Sequence, residues 1–221
     1  MKIAVLGTGN VGRTLAARFA DLGHTVTVAT RDVAATSAGT EEESYGTWAA
    51  QHPDVRLATF ADAAASAELV VNATNGGASL AVLDAAGADN LGDKVLLDVA
   101  NPLDFSAGFP PTLLVKDTDS LGEQLQRAFP RLRVVKALNT VNASLMTHPD
   151  DLAGGDHTVF MCGNDEGAKA TVGALLAELG HTDVVDLGDI TGARGTEMYL
   201  PLWVRLMSTL GTARFSIRLV R

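Results

Sequence analysis

Apolar residues fall along this chain in two alternating rhythms. Short unbroken runs such as Ile3-Ala4-Val5-Leu6, Leu69-Val70-Val71 and Val95-Leu96-Leu97 are bounded by glycine or polar residues. Runs of that length read as strands buried on both faces. Between them the apolar positions recur at helical spacing, as at Leu15, Ala16 and Phe19. The alternation predicts strands at 2–6, 25–29, 55–58, 68–73, 94–99 and 133–138, then at 158–163 and 182–187. Helices are predicted up to residue 22 and over 61–67, 79–86, 120–129, 165–179 and 194–210. Such an order specifies an α/β, Rossmann-type doubly wound parallel sheet with a small C-terminal α/β extension. The expected division is a dinucleotide-binding domain over 1–142 and the extension over 143–221.

The rest of the chain is organised around Gly7-Thr8-Gly9-Asn10-Val11-Gly12, which lies where the first strand should turn into the first helix. In a strand–turn–helix context, glycines at this spacing bind a dinucleotide. Gly7 permits the tight turn, Gly9 lets backbone approach a pyrophosphate, and Gly12 lets helix pack closely on strand. The helix N-terminus adds free N–H groups and a partial positive charge. The end of the second strand selects the cofactor, because an acid there binds the ribose 2′-hydroxyl of NAD. Thr30 stands at that position with Arg31 beside it. A hydroxyl and a guanidinium suit a 2′-phosphate, so NADP is expected. Asp32 is the alternative: turned inward, it would favour NAD.

Composition narrows the class. A net charge of −9 and the lack of any Lys/Arg cluster give no footprint for nucleic acid. A single cysteine, Cys162, leaves no disulfide framework and no cysteine-based metal site. The first predicted strand opens at residue 2, leaving no room for a leader, and no apolar run approaches bilayer-spanning length. The expectation is a cytoplasmic protein with no membrane partner and no metal. Glu41-Glu42-Glu43 sits near the start of a predicted helix, suits its dipole and reads as a solvated face. The segment 103–118, with Pro110 and Pro111, is long for a connector and reads as substrate-facing.

No acid–base residue announces itself, and the catalytic residue is left open. The five histidines are scattered and read as surface turn residues, while Lys136 reads as a core-edge lysine that snorkels. Thr74, Asn75, Asn101, Asn139, Thr140 and Asn142 lie at predicted strand ends, where open α/β sheets bind ligands. Such residues suit direct hydride transfer between two stacked redox rings, which needs positioning more than a strong acid; some asparagines will also cap turns. In the tail, Met198, Leu202, Leu206 and Leu210 form an apolar stripe with Tyr199 and Trp203 beside it. A face that wide must be buried, on the domain or against a second copy. Pro201 begins or kinks this helix.

Residues 3–12, Thr30-Arg31-Asp32 and Val135-Lys136-Ala137-Leu138-Asn139-Thr140 resemble the NADPH-dependent reductases of the deazaflavin coenzyme F420, and the oxidoreductase domain of STEAP metalloreductases is similar. The resemblance implies NADP binding by Thr8, Asn10, Val11, Thr30 and Arg31. It places Thr74, Asn75 and the segment Ala137-Leu138-Asn139 around the nicotinamide, with coenzyme F420 as small-molecule redox acceptor and a homodimer as the assembly. Segments 103–118 and 198–203 match no motif of these reductases and are where the second substrate is expected. Two other readings stay open: a non-catalytic NADP-binding sensor, and an NADPH-dependent reductase of another small molecule, using Lys136 or Tyr199 on a carbonyl or imine.

Overall fold

The computed structural model describes residues 1–42 and 44–221. The chain begins with β1 (Lys2–Leu6), α1 (Asn10–Asp21) and β2 (Thr25–Thr30). Two short helices, α2 (Val33–Ser37) and α3 (Tyr45–Gln51), lead to β3 (Arg56–Thr59), α4 (Phe60–Ser66) and β4 (Leu69–Asn72). Next come α5 (Ser79–Ala86), α6 (Ala88–Leu91), β5 (Val95–Asp98) and a small hairpin of β6 (Leu103–Asp104) and β7 (Thr112–Leu113). Then follow α7 (Leu121–Ala128), β8 (Arg133–Ala137), α8 (Ala143–Thr147), β9 (Thr158–Gly163), α9 (Glu166–Leu179) and β10 (Asp183–Asp186). The tail forms α10 (Ala193–Met198) and α11 (Leu200–Leu210). Of the three consecutive glutamates, Glu41 and Glu42 lie ahead of α3, not inside a helix, and Glu43 is outside the described residues.

Eight strands form one sheet in the order β10-β9-β8-β5-β4-β1-β2-β3. Neighbours run parallel except β8 and β9. Helices cover both faces, which is why the strands read as continuous apolar runs. Ile3 and Val5 enter the core shared with Leu15, Phe19 and Leu176, whereas Ala4 and Leu6 face Leu83, Leu121 and Leu125. Each fully buried Leu or Ile side chain contributes about 1.5–3 kcal/mol. The strand order reverses at β1 and β4, so the crevice for a ligand opens at their carboxyl ends.

Register has a chemical consequence there. Leu6 pairs with Asn72, Asn72 with Asp98, Asp98 with Lys136 and Lys136 with Cys162. One row across the carboxyl end of the parallel strands thus carries amide, carboxylate and ammonium groups side by side, on one face of the sheet.

Two expectations change, for the tail and for two histidines, and the connector gains internal order. The connector 103–118 is organised by the β6–β7 hairpin, with Phe105 and Phe109 left exposed. The tail breaks into two helices, with Pro201 in the first turn of the second. The tail's inner face is Ala193, Thr196, Glu197, Leu200 and Val204, while Met198, Leu202 and Leu210 are 38%, 54% and 55% exposed. Finally, His157 and His181 are buried, not surface turn residues, and each places Nε2 within hydrogen-bond distance of a carbonyl, that of Pro149 and of Met146 respectively. Those carbonyls sit in the chain at and just after α8 and need partners once water is excluded.

Candidate functional site

The glycine turn has the clearances that dinucleotide binding requires. Gly7 has φ +119°, and a Cβ there would lie 2.6 Å from the Ala73 carbonyl oxygen. A Cβ on Gly12 would lie 2.2 Å from the Gly7 oxygen, so α1 seats directly on the turn. Above Gly9 the space is open: apart from Gly9 and its immediate chain neighbours, no described atom comes within 4 Å of the point a Cβ would occupy. Gly9 is also the N-cap of α1, and no side chain caps that end. The first N–H groups of α1, flanked by Thr8, Asn10 and Val11, therefore remain available to an anion.

At the end of β2, Thr30 is buried and its hydroxyl bonds to that of Thr36 at 2.8 Å, while Arg31 is exposed. Asp32 turns onto its own helix: its Oδ1 accepts from the Ala35 N–H at 3.0 Å as the N-cap of α2. The carboxylate is therefore committed locally.

A cavity of about 350 Å³ opens at the switch point. Its walls come from the α1 start (Asn10, Val11), the β4 end (Ala73, Thr74, Asn75), the β5 end (Val99, Ala100, Asn101) and the segment after β8 (Asn139, Val141, Asn142). Leu103, Phe105, Ala143, Met146, Leu200 and Trp203 complete it. Among the described residues lining it, none carries a titratable side chain. Asn101 Nδ2 donates to the Asn139 carbonyl at 2.8 Å, and Asn139 Nδ2 donates to Asn101 Oδ1 at 3.0 Å. Asn139 Oδ1 is buried without a partner. A buried acceptor left open at a cavity wall suits a ligand N–H. Asn75 and Asn142 also cap short helical turns, accepting from Gly77 and Ser144 N–H.

Sequence-predicted residues divide into three places. Asn10, Val11, Thr74, Asn75 and Asn139 meet in the cavity. Gly7, Thr8, Gly9, Gly12, Thr30 and Arg31 extend from it along the carboxyl ends of β1 and β2. Ala137 and Leu138 are fully buried behind the wall, Leu138 with φ +62°. A non-glycine residue is held there only when its surroundings dictate it.

Lys136 does not snorkel. Its side chain is fully buried, with Nζ 2.8 Å from Asp98 Oδ2, 2.9 Å from Glu197 Oε1 and 2.5 Å from the Ala100 carbonyl. Burial by itself pushes its pKa down, but Asp98 and Glu197 outweigh this and hold the ammonium above its ordinary value. Burial of Cys162 beside this row pushes its thiol up to about 12, leaving it an inert core residue. Tyr199 lies away from the cavity, against a separate apolar hollow with Phe160, Leu187 and Ile217. Asp98, Glu197, Phe105 and Met146 were not singled out by sequence; the length of segment 103–118 was the one usable signal, for Phe105.

Residues 2–102 match the family described as "NADP oxidoreductase coenzyme F420-dependent". The chain is 32% identical over 213 residues to the F420-dependent NADP reductase of Methanothermobacter thermautotrophicus, covering 93% of this chain and 89% of that protein. It is 30% identical over 210 residues to rat metalloreductase STEAP3; the match covers 91% of this chain but 38% of the much longer metalloreductase. A crystal structure from Arthrobacter sp. FB24, provisionally assigned as an F420-dependent NADP reductase, superposes with a TM-score of 0.98 at 62% identity and covers 100% of both chains. Fold and site together thus define an NADP-dependent oxidoreductase. The chain belongs to the F420-dependent NADP reductase family.

Proposed function

We propose that this protein transfers a hydride between NADP(H) and the deazaflavin ring of coenzyme F420 in the cavity at the β1–β4 switch point. The observation that carries this reading is the wall itself, which is built from amides, a hydroxyl, backbone and apolar groups and, among the described residues, has no titratable side chain. A carbonyl reductase needs a proton donor at the reacting oxygen. Two redox rings that exchange a hydride directly need alignment and exclusion of water.

In this reading residues 1–142 form the NADP-binding domain and 143–221 the extension. The N–H groups of the Gly7–Gly12 turn bind the pyrophosphate, and Thr30 and Arg31 hold the 2′-phosphate. Thr74, Asn75 and Asn139, with Ala137 and Leu138 behind them, hold the nicotinamide, Asn139 Oδ1 serving as acceptor for its carboxamide. When bound, NADPH supplies the hydride. Phe105, Met146, Leu200 and Trp203 then form the apolar side against which the acceptor ring rests. The stripe of exposed Met198, Leu202 and Leu210 with half-buried Leu206 packs against a second copy in a homodimer.

The test is oxidation of NADPH by purified protein with F420, with FMN and with FAD, each followed by absorbance. Turnover with F420 well above that with either flavin supports the assignment. NADPH binding with no turnover of F420 overturns it.

A further inference from the structure

We infer that Lys136 is a positioning residue for hydride transfer, its buried ammonium fixing the Ala100-Asn101 segment and, through Asn101, the Asn139 amide at the cavity wall. The inference rests on the cavity being the hydride-transfer site. Lys136 has three N–H donors, and Asp98, Glu197 and the Ala100 carbonyl take them. The other oxygen of Asp98 accepts from Asn72 Nδ2 at 2.8 Å and from the Ala100 N–H at 3.2 Å. Ala100 is therefore gripped at both its N–H and its carbonyl by one ion pair. The next residue, Asn101, makes the reciprocal bonds to Asn139.

The network also reaches the cavity from β4 and leaves it toward the tail. Thr74 Oγ1 donates to Asn72 Oδ1 at 2.7 Å. At the far end, Glu197 accepts from the Leu121 and Gly122 N–H groups at 2.8 and 3.1 Å, at the start of α7. One buried assembly thus ties the ends of β4, β5 and β8 to α7 and α10.

Its cost argues for a role beyond packing. Apolar residues of similar volume usually stabilise a fold at least as well as a buried ion cluster. What they cannot do is hold an N–H and a carbonyl at a strand end in a fixed direction. Lys136 itself does not line the cavity and has no exposed surface, so it acts through Ala100 and Asn101 and not as an acid.

The test separates positioning from stability with a compensated variant, Lys136→Met with Asp98→Asn and Glu197→Gln, which removes all three charges together. Thermal melting, NADPH affinity, single-turnover hydride transfer to F420 and the emission of bound NADPH are compared with wild type. The expected result is a folded protein with NADPH affinity retained and the transfer rate reduced about a hundredfold, the scale of a misplacement near 1 Å. A folded variant with the wild-type rate overturns the inference. If the variant does not fold, Asn101→Ala carries the test: slowed transfer with NADPH still bound supports it, and an unchanged rate overturns it. Failure of wild type to reduce F420 would overturn the proposed function instead. The inference would then be read from the emission of bound NADPH, which is expected to shift in both variants and whose constancy overturns it.

Discussion

Asn101 and Asn139 hold each other across the ends of β5 and β8, each amide donating to the other residue, at 2.8 and 3.0 Å. The pair engages one N–H of each Nδ2 and leaves Asn139 Oδ1 buried without a partner. Replacing Asn139 by Ala removes that acceptor and the brace together. A buried hydrogen bond of this kind contributes about 1–1.5 kcal/mol, so kcat/KM for NADPH should fall about tenfold. Steady-state kinetics with unchanged values would remove Asn139 from the site.

Arg31→Ala should weaken NADPH binding by about 10- to 100-fold, the range for losing a hydrogen bond to a charged group, and leave NADH binding unchanged. Asp32 should have little part in this, since its carboxylate already caps α2. Titrating both cofactors against wild type and variant checks the assignment. Equal losses for NADPH and NADH would mean that Arg31 does not read the 2′-phosphate.

Gly12→Ala places a methyl group 2.2 Å from the Gly7 carbonyl oxygen. Backbone must move, at about 1–3 kcal/mol. The denaturant midpoint should fall and NADPH binding with it. Gly9→Ala meets no other part of the described chain, so the apoprotein should lose no more than about 1 kcal/mol, the cost of a poorer N-cap, while NADPH binding weakens. A Gly9 variant that bound NADPH normally would show that the pyrophosphate does not lie over the turn.

Stability should decline on the acid side. His181 is buried against the Met146 carbonyl, and desolvation lowers its pKa below the ordinary value, with His157 opposite. Because the unfolded chain binds the proton more readily, stability is complete above about pH 6.5 and is lost as the pH falls below that value. Urea melts between about pH 5 and 8, the range in which histidine titrates, should show this slope in wild type and a flatter one in His181→Leu. Equal slopes would assign the acid sensitivity elsewhere.

Leu202→Glu with Leu210→Glu should convert a dimer into monomers in sedimentation, with the fold intact, because both side chains are exposed and the buried side of this tail is Leu200 and Val204. A wild-type monomer would contradict the role given to the stripe.

The glycine turn and the first crossover unit were legible in sequence because their determinants are local: three glycines, a buried strand and a helix within a few residues. The Lys136 cluster was not, since its partners lie 38 residues upstream at Asp98 and on the tail helix at Glu197. Lys136 in an apolar strand looks like a snorkelling residue until the register sets it beside Asp98 and the tail brings a second carboxylate. The same cluster decides which side of the tail faces the domain. Its inner face includes Thr196 and Glu197, polar residues that hydrophobic periodicity assigns to solvent, so Met198, Leu202 and Leu210 of the apolar stripe lie outside and Leu206 is half-buried. Phe105 and Trp203 reach the cavity from segments that matched no motif of the reductases, and only tertiary packing brings them together.

The most direct test of the account follows deuterium from the C4 position of NADPH during a single turnover with F420. Direct transfer in a cavity without a titratable side chain predicts that the label appears on the reduced deazaflavin ring and none is released to water. Label washed into solvent, or no transfer to F420 at all, would contradict it.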